Sequence, residues 1–238
     1  MSDGIRFFSA GALSVFAIIL LAGLVILILP LLILGMVGAA FTRLGFSWIA
    51  ALAVILLILF GSFVNIPVYR LRRDVIRVNH GDASVYGAGV LQVPPHVWET
   101  IISLNLGGAV IPVCVSLYLL YRATLIAGTS LFVPVCGSVT LVAIITFISS
   151  RPLTGVGIRV PLIIPGLTAL LTGMLIAGGV GLTAAVIAFV GGTTGTLLGG
   201  NIAHLFRIKD LEVPDVNIGG AGTFGAVFIC CILPTLIA

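Results

Sequence analysis

Long runs of uncharged, apolar residues alternate with short polar breaks along the whole chain. A helix that crosses a bilayer needs about 20 such residues. The first run covers residues 7–42. It exceeds the roughly 7–15-residue core of a signal peptide, and it predicts one long, tilted span broken or kinked near Pro30. Further spans are predicted over residues 45–67, 97–121, 123–148, 160–177, 181–206 and 219–238. The pattern therefore predicts an all-α, polytopic helical membrane bundle of about seven transmembrane helices, built as a single integral membrane domain over 1–238. The largest piece outside the apolar runs is 68–96. Its β-type segments at 74–78 and 84–92 flank the turn-like Asn79–Asp82 and predict a small hairpin.

The basic residues test that count. Of eleven Lys and Arg, seven spans put nine on one side: Arg6, Arg70, Arg72, Arg73, Arg77, Arg151, Arg159, Arg207 and Lys209. Only Arg43 and Arg122 fall on the other. Splitting the first run into a hairpin weakens the asymmetry. The positive-inside rule thus favours seven spans, with the N-terminus and the larger loops cytoplasmic. Aromatic residues fall at the two expected interfaces, Tyr69 and Trp98 at one and Trp48, Tyr118 and Tyr121 at the other.

Composition agrees. Hydrophobic residues make up 60% of the 238 and charged residues 8%, against about 25% charged in a soluble domain. Disorder is excluded on the same ground. The net charge of +4 is better explained by topology and anionic lipid than by nucleic acid, which is not expected as a partner. Arg70, Arg72, Arg73 and Arg77 are candidates for lipid headgroups. The four cysteines all lie in apolar runs and read as packing residues.

Candidate chemistry is sparse. Gly191, Gly195 and Gly199 recur every four residues and share one helix face, which lets backbones approach closely in lipid. Packing within the chain or against another copy satisfies that pattern, and packing within the chain is favoured. Asn201 and His204 follow near the cytoplasmic end of the same run, as polar residues at membrane depth. The pattern N-[LI]-G-G-A occurs twice, at Asn105, Gly107 and Gly108 and again at Asn217, Gly219 and Gly220. Glycines there loosen a helix and free backbone groups, as at the interrupted helices where transporters hold ligands. Residues 149–166 hold three prolines and read either as a re-entrant or surface segment or as a plain loop. No Asp or Glu lies in the interior of a span, the nearest being Glu99 at an interface, and no zinc, phosphate-loop or nucleophile-elbow motif occurs. No enzyme activity, cofactor or metal is expected. The residues favour a packed subunit or scaffold of a membrane complex. The alternative is a small-solute or ion carrier with a polar site formed by Asn and the Gly-rich helix breaks. Lipids, other membrane subunits or a second copy are the expected partners.

Five ordered blocks carry a resemblance: GSFVNIP from Gly61, NLGGAVIPVCVSLYLL from Asn105, RPLTGVGIRVPLIIPGL from Arg151, GTLLGGNIAHL from Gly195 and NIGGAGTFGAVF from Asn217. With them the chain resembles the uncharacterised prokaryotic integral membrane family known as domain of unknown function sixteen-fourteen. The resemblance implies a multi-pass protein of an archaeal or bacterial cell membrane. Relatives often have Asp where this chain has Asn201 and Gly225. An acid-dependent activity of such relatives does not carry over.

Overall fold

The computed structural model describes residues 12–75, 96–128, 130–153, 157–208 and 215–237. The chain is mostly helical. Helix α1 (Ala12–Arg43) turns at Gly45 into α2 (Trp48–Gly61). Strand β1 (Asn65–Val75) follows, then β2 (His96–Asn105), a π-helical turn (Leu106–Val110) and α3 (Ile111–Ala127). Next come α4 (Phe132–Ser149), the short strands β3 (Arg151–Leu153) and β4 (Gly157–Arg159), and α5 (Ile164–Ala177). Helix α6 (Leu182–Gly200) runs through a 3-10 turn into the short α7 (Leu205–Ile208). Strand β5 (Asp215–Ile218), α8 (Phe224–Ile232) and a closing 3-10 turn end the described chain.

Four segments are long and apolar enough to cross a membrane: Ile18–Arg43, Leu106–Ala127, Phe132–Ser149 and Leu182–His204. Three apolar helices are shorter, Trp48–Gly61, Ile164–Ala177 and Phe224–Thr235. At 1.5 Å per residue a 14-residue helix such as α2 or α5 reaches about 21 Å, short of a ~30 Å hydrocarbon layer. All three shorter helices fall short at the same end of the bundle. There the chain is carried on by Ser62–Val64 into β1, by β4 and the residues up to Ile163, and by β5 with its following turn. We call this the sheet end.

The expectation of an all-α fold is corrected there. Strands β1 and β2 pair antiparallel from Asn65↔Asn105 to Val75↔His96, with an irregularity between Pro67 and Tyr69. Strand β5 adds in parallel on the other side of β2, with Ser103 opposite Asn217. The predicted span over 97–121 therefore splits into a strand and a helix. Its first residues, VWETIISLN, are rich in β-branched and aromatic side chains (Val97, Trp98, Thr100, Ile101 and Ile102), which suit a pleated strand. For the same reason the second predicted span stops at Gly61, and the last becomes helical only at Phe224. Pro30 lies inside α1, which continues through it. Residues 149–166 include the β3–β4 pair. The predicted hairpin segments beyond Val75, and Arg77 with them, lie outside the described residues.

Helix α6 is the axis of the bundle. Fifteen of its 19 residues are buried. The main core joins Phe189, Val190 and Leu197 of α6 to Phe41, Ile55, Leu119, Val135 and Val227. Phe189 meets Phe41 edge to face, with ring centroids 6.0 Å apart. A second, smaller cluster of Ile158, Val160, Val216 and Ala226 seals the sheet end. At the opposite end Arg122 donates to the Gly45 carbonyl at 2.7 Å, fixing the α1–α2 turn to α3.

Candidate functional site

The two N-[LI]-G-G-A motifs meet at the sheet end. Each follows a strand of the same parallel pair, β2 or β5, and each leads into a helix. Register and conformation differ. Asn105 ends its strand and caps its own helical turn: its Oδ1 accepts from the Gly108 amide at 2.7 Å. Its Nδ2 donates to the Ser62 carbonyl at 2.7 Å and to Asn65 Oδ1 at 2.9 Å. Asn217 sits two residues further back in the paired register, and Gly219 turns the chain with φ +74°. Gly107 lies against the backbone of Ile58, Gly61 and Ser62 at the end of α2. Gly108 and Gly219 lie backbone to backbone; a Cβ on Gly219 would come within 2.6 Å of the Gly108 carbonyl. Gly220 folds back on Asn217, where a Cβ would stand 2.5 Å from that side chain.

Asn201 ends α6 and is 1% exposed. Its Nδ2 donates to Thr223 Oγ1 at 3.1 Å, and its Oδ1 faces the Gly219 amide at 3.4 Å. One side chain thus ties the end of α6 to the turn that starts α8. His204 is equally buried but faces elsewhere. Its Nδ1 lies 3.0 Å from the Gly199 carbonyl, and its ring packs on Phe147 at 4.6 Å.

A cavity of about 50 Å³ opens between these elements, lined by Gly157, Ile158, Asn201, Asp215, Asn217 and Ala221 among others. Of the residues predicted from sequence, it brings together Asn201 and Asn217. Gly108 touches its neighbour Gly219 but does not line it, and Asn105, Gly107 and His204 are not among its lining residues. Asp215 and the β4 residues were missed because the sequence offers no spacing that links them to Asn201. Only the fold brings β4 and β5 to the end of α6.

The glycine face of α6 meets α4. Gly191 lies against Ser138, Gly195 against Val139 and Val142, and Gly199 against Ala143. A Cβ on Gly195 would stand 2.8 Å from Val142 Cβ. The neighbouring face is as close, with Gly192 against Ala169 of α5 and Cys230 of α8. Hydroxyl pairs add polar links between helices: Ser116 with Thr193 at 2.7 Å and Ser138 with Thr172 at 2.9 Å. Such links are worth about 0.6–2 kcal/mol each in a bilayer. They too were missed, although Ser and Thr inside apolar runs are the signal for them.

Of the candidate basic residues, Arg70, Arg72 and Arg73 lie on β1. Arg70 is exposed on β1, and the register sets Arg72 opposite Glu99 and Arg73 opposite Trp98. Among the described residues no group of three or more His, Cys, Asp or Glu stands close enough to hold a metal ion.

Fold and site define a mostly helical protein with long apolar helices whose polar side chains stitch strand ends to helix ends. Residues 59–237 match the family described as Protein of unknown function (DUF1614), and the chain belongs to that family. No curated protein and no solved structure matches.

Proposed function

We propose that this is a seven-span protein of a prokaryotic cell membrane, with its sheet end and N-terminus in the cytoplasm, acting as a packed subunit or scaffold of a membrane complex. Four long apolar helices and three shorter ones, each prolonged at the sheet end, are consistent with seven crossings. Strand backbone at membrane depth is tolerable where protein buries it, and Ser103, Asn105, Val216 and Ile218 are all buried. The exposed flank of α1, with Ile18, Leu20, Ile26 and Leu32 each more than half exposed, suits lipid or a neighbouring membrane helix. Arg70, Arg72, Arg73 and Arg77 would meet anionic headgroups beneath it.

One observation carries the structural role. Asn105 spends its carboxamide on three partners within the protein and Asn201 on two, and Ser116 pairs with Thr193 and Ser138 with Thr172; the buried Thr146 hydroxyl is an exception. Native mass spectrometry of the protein, extracted gently from its own membrane, tests the reading. It should carry partner chains at fixed stoichiometry. A lone monomer or homodimer would count against a subunit role.

The small polar cavity beside Asn201 favours the second reading, a carrier of ions or small solutes. On that reading Asn201→Ala abolishes transport while the protein still accumulates folded in the membrane.

A further inference from the structure

The cavity at the sheet end has a definite chemical character, and we propose that it binds a single monovalent cation of about the size of sodium. Its size comes first. About 50 Å³ is several times the ~10–15 Å³ that admits one water, and far below the ~300 Å³ of a small-molecule pocket. An ion that keeps a water or two fits, and a metabolite does not.

The donors and acceptors around it give the sign. Four amides of the turn that could draw an anion are already engaged. The Gly219 amide faces Asn201 Oδ1, the Gly220 amide donates to the Asn217 carbonyl, and those of Thr223 and Phe224 both donate to the Gly220 carbonyl. The lining residues that carry side-chain carbonyl or carboxylate oxygens are Asn201, Asp215 and Asn217. Asn201 Oδ1 is held by Gly219 at 3.4 Å, longer than a good N–H···O bond, and a carboxamide oxygen has a second lone pair. Asn201 is also the C-cap of the 19-residue α6, whose carbonyl end carries partial negative charge. Arg159 is exposed and not part of the wall.

The charge follows from the same inventory. One carboxylate, Asp215, balances one positive charge. Calcium takes six to eight oxygens and usually several carboxylates, which this wall does not supply. The site joins β4, the end of α6 and β5, so an ion in it would brace three segments that are far apart in sequence.

Thermal unfolding of the purified full chain tests this, in sodium chloride against choline chloride at equal ionic strength. Sodium should raise the midpoint saturably, by about 3–5 °C at tenfold above its dissociation constant. Asp215→Asn, at an exposed position that leaves the fold intact by circular dichroism, should remove that rise, and Asn217→Ala should weaken sodium binding at least tenfold by calorimetry. Equal midpoints in sodium and choline, or a sodium increment retained in both variants, would overturn the proposal and leave a water-filled cleft.

Discussion

Asn201 is the residue whose single substitution reports most on this architecture. It is buried, and its carboxamide joins α6 to the turn before α8 through Thr223 and Gly219. Asn201→Ala leaves both partners without it, at about 1–3 kcal/mol for each buried group left unsatisfied. Equilibrium unfolding should show a loss of that order. Unchanged stability would mean that the carboxamide holds nothing. Glycine makes the complementary point. Gly195→Leu drives a side chain into Val139 and Val142 of α4, whereas Gly137→Ala finds its nearest neighbour, Ile176, at 3.8 Å. Gly195→Leu should abolish accumulation of folded protein, and Gly137→Ala should leave it within about 1 kcal/mol of the parent. The comparison separates packing within the chain from packing between copies. A disrupted oligomer of intact monomers would contradict the contact of α6 with α4.

At the scale of elements, periodicity shows where helices run but not where they begin. The run at 181–206 is read almost correctly, because α6 is helical through most of it, whereas the break predicted at Arg122 lies inside α3, which continues to Ala127, and α4 begins only at Phe132. The run at 97–121 is misread. Hydropathy registers that Ile101, Ile102 and Leu104 are apolar, and is blind to their being extended and paired with β1 and β5. The repeat at Asn105 and Asn217 is visible in sequence, and so is its tie to helix starts. That the two copies touch through Gly108 and Gly219 is not, since parallel pairing of β2 and β5 spans more than a hundred residues. The same holds for Asp215, which has no partner motif in sequence. Helix α1 gives a prediction at this scale. Between Phe16 and Leu32 its described side chains are all exposed, and its burial in the core begins near Val37. Deleting residues 12–33 should therefore leave the bundle's far-ultraviolet circular dichroism per residue and its cooperative unfolding largely intact. Collapse of the whole fold would show that the flank of α1 is a structural wall.

Across the whole molecule the two ends differ in chemistry. The sheet end gathers Arg70, Arg151, Arg159, Glu99 and Asp215 with both small sheets. The other end carries Arg43 and Arg122 beside Trp48, Tyr118 and Tyr121, the residues of a headgroup belt. Taken with the three shorter apolar helices, the four long ones alternate in direction between these ends, and the bilayer proposed above would lie across them. The proposed membrane topology depends on that placement. It is tested most directly by labelling introduced cysteines from outside intact cells, after the exposed Cys114 and Cys136 are replaced by Ala, with the buried Cys230 and Cys231 left in place. Val180→Cys lies in the exposed turn before α6 and Arg159→Cys on β4. A membrane-impermeant maleimide should modify Val180→Cys at once and Arg159→Cys only after the cells are permeabilised. Modification of both in intact cells, or of Arg159→Cys alone, would contradict a membrane-spanning bundle with its sheet end in the cytoplasm.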